Sequence, residues 1–224
     1  MTTFQRARSE EQREVRRRAI LDTTAAMLDE TAVGAVSLNE LSRRVGLAKS
    51  NVLRYFESRE AILLELLDRA WKEWTAELTR RLSDELEPGL PFARRAEMFA
   101  DILTRSLEER RVLCDLLSAQ AGVLEHNVSP EVAARYKRGA LANVSDLAAS
   151  VRVHLPELGE DAVRLCSQAI LVAGAVWTHA RPSAAMLAAY DSDPSLAALR
   201  VDFPSALKDT LLTLTAGTLA RRSS

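Results

Sequence analysis

The sequence is poor in the residues that most catalytic and cofactor-binding motifs require. Two cysteines, three histidines and eight glycines are spread over 224 residues. Cys114 and Cys166 lie far apart in apolar helical surroundings, which suits neither a disulfide framework nor a zinc site, and both read as small buried hydrophobes. None of His126, His154 and His179 has a Glu three positions before it, and no His-x-x-x-His pair exists. That removes the carboxylate-bridged metal bundle and the zinc-hydrolase helix. The glycines contain no Gly-x-Gly pair, which removes dinucleotide and P-loop readings, and no Ser or Cys carries a local nucleophile signature. The chain is therefore expected not to be an enzyme and to need no cofactor and no metal.

Long apolar runs are absent as well. None approaches the roughly 18 residues a bilayer span needs, and the first 20 residues are too charged for a signal peptide. The expectation is a cytoplasmic protein with no membrane partner, in which Asn127-Val128-Ser129 and Asn143-Val144-Ser145 match glycosylation acceptors only by accident. Strand-like alternation of Val, Ile and aromatics is missing too, so the fold class is all-α.

What is present is ordinary for a folded domain: 47% hydrophobic, 27% charged and a net charge of -1. That balance gives no global steering toward a polyanion, but the charge is uneven. Residues 1–60 hold 11 Lys and Arg against 9 Asp and Glu, while the remainder is net acidic. Much of the basic excess sits near the start, at Arg6, Arg8, Arg13, Arg16, Arg17 and Arg18, opposed only by Glu10, Glu11 and Glu14. Such a stretch reads either as a basic arm for phosphate or the minor groove, or as a solubilising tail.

The richest segment runs from Ser37 to Glu60, SLNELSRRVGLAKSNVLRYFESRE. Ser37 with Glu40 three positions on is a capping box: the Ser accepts from a free backbone N–H and the Glu reaches back, which starts a helix at Leu38. Leu38, Leu41 and Val45 make one apolar stripe, and Gly46 suits a left-handed helix stop. In the following segment Val52 and Phe56 pack inward together. Lys49, Ser50, Asn51, Arg54 and Tyr55 remain on the outside, and every one of them can donate a hydrogen bond or carry positive charge. Two short helices around a turn, the second with such an outer face, form a helix-turn-helix suited to a major groove.

With its flanks, this stretch resembles the amino-terminal domain of the tetracycline-repressor (TetR) family of bacterial transcription regulators. The likeness covers about 50 residues, from RRAILDTTAAMLDE (Arg17 to Glu30) through SLNELSRRVGLAKSNVLRYFESREAILLELL (Ser37 to Leu67). It is carried by Ala25, Ala26, Leu28, Gly34, Ser37, Gly46, Tyr55, Phe56, Ser58, Arg59 and Glu60, in order and without gaps. The resemblance implies DNA contacts at Lys49, Ser50, Asn51, Arg54 and Tyr55, with Ser37 at the first helix of the motif and Arg59 at the start of the fourth helix, where Ser58 is the N-cap. Leu53 departs from the pattern, standing where the family usually has a phosphate-binding Tyr. That contact is absent here or transferred to Arg54 or Tyr55.

Beyond Leu67 the chain stays helical without a fingerprint. A long fourth helix ends near Glu87-Pro88-Gly89, and Pro91 opens another running to about Glu109. A shorter one carries Val112 to Leu117 and dissolves around Gly122. Ser129-Pro130-Glu131 starts a helix toward His154, which stops before Pro156. From Asp161 to Ala180 apolar residues go nearly all the way round, and a last helix, about Ser205 to Ala220, presents Leu207, Leu211, Leu214 and Leu219. Between these two, Arg181 to Pro204 reads as a loop with a short helix near Ala184 to Tyr190. An all-round apolar helix and a Leu stripe together exceed what one body of this size covers, so these two helices are expected to build a homodimer.

The expected architecture is a three-helix helix-turn-helix head in residues 1–60, with the basic stretch at its start. A long fourth helix joins it to an all-α body in residues 61–224 for effector binding and dimerisation. The expected function is a dimeric, sequence-specific regulator, a repressor, that reads a pseudo-palindromic operator in double-stranded DNA. The resemblance implies a small hydrophobic effector inside the body, with Phe99, Leu103, Cys114, Leu117, Tyr136, Val176 and Trp177 as candidate lining residues. The alternative is a ligand-independent adaptor that uses the body for protein contacts only.

Overall fold

The computed structural model describes residues 3–222, with side chains from residue 10 onward. Among the described residues there are α-helices and short 3-10 or π turns, and no strand. The helices are α1 (Thr3–Glu30), α2 (Leu38–Val45), α3 (Lys49–Val52), α4 (Arg59–Glu85), α5 (Phe92–Glu108) and α6 (Arg111–Ala119), followed by α7 (Pro130–His154), α8 (Ala162–His179), α9 (Ala184–Ser192), α10 (Pro194–Ala197) and α11 (Phe203–Arg222). None is long and apolar enough to cross a membrane.

Serine starts several of these helices because its short oxygen reaches a backbone N–H that has no partner inside the helix. Ser58 accepts from Ala61 N–H at 3.1 Å and Ser129 from Val132 N–H at 3.2 Å, while Ser183 caps α9 in the same way. Asp202 caps α11, accepting from Ser205 N–H at 3.1 Å, and lets that helix begin two residues before the sequence pattern suggests.

The chain packs as two compact units. The first contains the residues up to Arg69 together with Ala119–Arg138, and the second contains Ala70–Ser118 with the residues from Gly139 onward. In the first, Ile20, Leu28, Leu41, Val52, Phe56, Ile62 and Leu63 are buried and form the core of the head. The basic stretch is not an arm preceding the first helix: residues from Thr3 onward are already in α1. No Gly or Pro interrupts that run, and Glu14 stands three and four positions before Arg17 and Arg18, a spacing that supports a helix. The side chains of Arg6 and Arg8 lie outside the described residues. The segment 119–138 contributes a π turn (Gln120–Leu124) and the start of α7. Ser129 N–H donates to Glu57 Oε1 at 2.6 Å, and Glu125 receives both Gln120 Nε2 at 2.8 Å and Lys137 Nζ at 2.5 Å.

In the second unit α11 packs on α5 and on α8. Leu207 and Leu211 are fully buried within the chain, so the Leu stripe expected to face a second copy is in large part core. Leu214 and Leu219 remain half-buried, and on α8 Leu171 and Ala175 face outward with Val172 half-buried. Gly174 lets α8 approach α6 closely, since a Cβ there would stand 3.2 Å from the Leu117 carbonyl oxygen. Trp74 is fully buried and donates from Nε1 to Ser106 Oγ at 2.9 Å, tying α4 to α5.

Two arginines close the ends of this unit. Arg95 is buried and donates to the carbonyls of Leu90 at 2.8 Å and His154 at 2.6 Å while pairing with Glu157, so one guanidinium fixes the start of α5 against the end of α7. Arg222 donates to the Leu158 carbonyl at 2.9 Å, with its guanidinium lying on Gly159. Gly159 has φ 49° and ψ -134°, a conformation nearly confined to glycine. Gly159→Ala is expected to lower stability by about 1–3 kcal/mol through backbone strain and displacement of Arg222. Chemical denaturation of the two proteins measures this, and an unchanged midpoint would refute it.

Candidate DNA-binding site

The motif's first helix is built as its residues require. Ser37 accepts from Glu40 N–H at 3.2 Å, and Gly46 closes α2 at φ 72°. The reciprocal half of the capping box is replaced. Glu40 turns its carboxylate to Arg43, at 2.6 Å, and to Arg44, at 2.8 Å, and these hydrogen bonds hold it down to about 2. Arg44 also makes a fork to Glu30 at 2.9 and 2.8 Å, which binds α2 to the end of α1. Both arginines of α2 are therefore occupied by intramolecular carboxylates.

α3 is one turn long, and its backbone bonds carry on through Leu53 N–H to Lys49 C=O at 3.0 Å and Phe56 N–H to Val52 C=O at 3.2 Å. Val52 and Phe56 are buried as the pattern requires. Lys49, Ser50, Asn51 and Arg54 are exposed and Tyr55 is half-buried. Among the described residues none of these five side chains is engaged in a hydrogen bond or ion pair, so their donors remain available. Leu53 is exposed between them, with no polar atom to offer.

What holds this segment in place is Arg17 of α1. Its guanidinium donates to the Tyr55 carbonyl at 2.5 Å, pairs with Glu65 of α4 and lies over the Phe56 ring, 4.3 Å from the centroid. Sequence reasoning grouped Arg17 with the basic stretch, because its partners are 38 and 48 positions away and no local pattern announces them. Arg13 and Arg16 behave differently. With Arg54, Tyr55 and Val15 they line an open groove of about 770 Å³ beside the motif.

Arg59 is also engaged. It donates to the carbonyls of Gly34 at 3.2 Å and Val36 at 3.1 Å and makes two bonds to Glu60, at 3.0 and 2.8 Å. The guanidinium therefore buttresses the 3-10 turn Val33–Ala35 against the start of α4, and Glu60 is buried beneath it.

Two family models match the chain: that of bacterial regulatory proteins of the tetR family over residues 20–66, and that of the tetracyclin repressor-like C-terminal domain over residues 68–222. The chain belongs to the TetR family. It is accordingly a DNA-binding transcriptional regulator. Among solved structures, a transcriptional regulator of the TerR/AcrR family from Aquifex aeolicus VF5 is 16% identical, with 88% of this chain and 96% of that one covered and a TM-score of 0.44. A candidate transcriptional regulator from Streptomyces coelicolor A3(2) is also 16% identical, with 92% and 97% covered and a TM-score of 0.47. No curated protein matches. The family assignment rests on the two models.

In the TetR C-terminal domain the candidate lining residues are divided. Phe99, Leu103, Cys114, Leu117, Val176 and Trp177 lie in the second unit, and Tyr136 lies in the first. All but Val176 are buried. Cys114, Leu117 and Trp177 are joined by the contact of α6 with α8: Trp177 Nε1 donates to Asp115 Oδ1 at 2.7 Å, and Gly174 lies against Leu117. Burial pushes the thiols of Cys114 and Cys166 up to about 12, so neither is a ready thiolate. Tyr136 keeps its hydroxyl buried with no hydrogen-bond partner, and burial first, then the charges of Glu125 and Asp68, raises its pKa. Among the described residues no cluster of His, Cys, Asp or Glu could hold a metal.

The two classes of arginine in the TetR head separate under substitution. Arg17→Met should lower stability by about 2 kcal/mol, the scale of a charged hydrogen bond lost with its partner left behind. It should weaken specific and non-specific DNA binding alike, through loss of the folded head, while leaving the salt dependence of the remaining binding unchanged. A salt slope reduced by about one unit at unaltered stability would instead make Arg17 a phosphate contact.

Proposed function

We propose that this TetR regulator is a homodimeric repressor whose head, residues 1–60, reads a pseudo-palindromic operator with Lys49, Ser50, Asn51, Arg54 and Tyr55. The observation that carries this reading is the contrast in engagement. Arg17, Arg43, Arg44 and Arg59 are tied to carboxylates and carbonyls of the chain, whereas the side chains of Lys49, Ser50, Asn51, Arg54 and the half-buried Tyr55 have no hydrogen bond or ion pair among the described residues. Base edges and phosphates are read by donors that the protein has not already used. Ser37 joins them through its hydroxyl proton, since its oxygen lone pair is the part used in capping. Arg13 and Arg16, in the groove shared with Arg54 and Tyr55, extend the same surface along α1 as phosphate contacts. Arg59 acts from behind, by fixing the start of α4.

The body, residues 61–224, supplies dimerisation and effector binding in this proposal. Leu171, at 72% exposure, continues with Val172 and Ala175 along the outer face of α8, and Thr213 and Ala216 lie outward on α11. A second copy related by a two-fold axis would cover that face, and two heads on the axis would meet half-sites about 34–36 Å, or a multiple of that, apart. A small, largely apolar effector is supported by Trp71 Nε1 and Thr75 Oγ1. They sit one turn apart on α4, each buried and without a hydrogen-bond partner. A buried donor left unmatched costs about 1–3 kcal/mol, which a bound molecule with acceptor atoms would offset.

Operator binding by fluorescence anisotropy tests the head. Alanine at Asn51 should cost about 1–3 kcal/mol of discrimination between operator and random DNA. Alanine at Lys49 or Arg54 should lower the salt slope by about one unit each if they meet phosphates, and behave like Asn51 if they read bases. Wild-type affinity, selectivity and salt dependence in all of these variants would overturn the assignment. For the body, Leu171→Arg should give folded monomers by light scattering, with operator affinity falling at least tenfold. A stable dimer with unchanged affinity would move the interface elsewhere.

A further inference from the structure

At the carboxy-terminal end of α8, where the chain departs for α9 and returns into α11, the second unit carries an open groove of about 630 Å³. That size lies within the range of small-molecule sites. Its base is aromatic: Trp177 and Phe203 meet edge to face, with ring centroids 4.9 Å apart and planes at 87°. Arg181 lies over the Trp177 ring, its guanidinium carbon 4.9 Å from the centroid. Arg200 stands exposed on the groove's wall and has no ion pair among the described residues.

The acids around the groove are mostly occupied. Asp115 receives Trp177 Nε1 and lies 3.4 Å from both Arg181 and Arg111. Asp202 is committed to capping α11, accepting from the Ser205 N–H and, at 2.6 Å, from its hydroxyl. Glu108, exposed at the rim, is the remaining carboxylate. The groove thus combines an aromatic base, the apolar Ala197 and Val201, and two guanidinium groups, Arg200 with no ion pair among the described residues and Arg181 only loosely paired.

We propose that this groove binds a singly charged aromatic carboxylate. Its ring would rest on the Trp177 and Phe203 edges, and its carboxylate would lie between Arg181 and Arg200. A planar guanidinium matches a carboxylate bidentately, and a ring stacked beside the Arg181–Trp177 pair gains from both apolar burial and the cation. Glu108 works against a more highly charged anion by like-charge repulsion. The site is separate from the Trp71 and Thr75 positions that support an internal effector, and it takes a charged ligand rather than a neutral one.

The test is calorimetric titration of the full-length chain with 2-naphthoate, its neutral analogue 2-naphthamide, and inorganic phosphate. Saturable binding of one 2-naphthoate per chain is expected, with the amide at least tenfold weaker and phosphate undetected. Arg200→Ala and Arg181→Met should each weaken 2-naphthoate at least tenfold. The Arg200 side chain makes no hydrogen bond or ion pair among the described residues, so its variant keeps the test valid should Arg181→Met disturb the packing over Trp177. Four results would overturn the proposal: no saturable binding at millimolar ligand, equal affinity for the amide, phosphate binding as well as the naphthoate, or indifference to Arg200→Ala. The last would point to an internal pocket, which has no reason to respond to an exposed arginine.

Discussion

The head depends on one guanidinium. Arg17 reaches from α1 to the backbone of Tyr55, to the carboxylate of Glu65 and to the face of Phe56, so three elements that are remote in sequence meet at a single rigid, planar group. A lysine could supply the charge but not the fork, and an apolar residue could cover Phe56 but would leave the Tyr55 carbonyl and Glu65 without a donor. The consequence is geometric. α3 is only one turn long and buries little more than Val52, so its own packing cannot fix the direction in which residues 49–55 point. The Tyr55 carbonyl bond fixes it from the end.

The same economy explains why net charge says so little about this protein. Its formal charge is -1, and the head's excess of cations over anions is small. Four arginines of the head, Arg17, Arg43, Arg44 and Arg59, neutralise carboxylates, as Arg44 does with Glu30 and Glu40, and contribute almost no field beyond a Debye length of about 8–10 Å. Among the described residues, the cations of this region without an ion pair are Arg13, Arg16, Arg18, Lys49 and Arg54. The potential that matters is local, and it arises from which cations lack partners rather than from how many there are.

This division also separates what the sequence made legible from what it did not. The helix-turn-helix could be read because its determinants are local: Ser37 three residues before the N–H it receives, Gly46 at a positive φ, and Val52 and Phe56 four apart on one face. The start of α5 and both ends of α7 followed from Pro91, Ser129-Pro130 and Pro156 for the same reason. The contacts that Arg17, Arg59 and Arg95 make with remote elements could not be placed, because those partners lie 23 to 62 positions away. Leu207 and Leu211 show the opposite error. An apolar stripe is visible in sequence, but whether it faces the chain's own α5 and α8 or a second copy is decided by packing that periodicity does not encode. The candidate site was accordingly legible as a set of outward donors, whereas the structure that aims them was not.

The least local feature is the membership of residues 119–138 in the same compact unit as the helix-turn-helix. Nothing in their composition ties them to the head, and the family model that covers them is that of the C-terminal domain. The tie is made by Glu57, the residue after Phe56, which accepts the Ser129 N–H at the very position where Ser129 caps α7. A residue cannot cap a helix and present its backbone N–H to a partner unless the approach of the chain to that helix is fixed. The entry to α7 and the exit from the DNA-binding motif are therefore held in one register. The carboxylate of Glu125, shared by Gln120 and Lys137, keeps the two sides of the intervening loop together. Individually these are exposed or half-exposed polar contacts of about 1 kcal/mol or less. Their effect is directional rather than energetic, because they fix where a segment of the C-terminal domain meets the residue that follows the motif's buried Phe56.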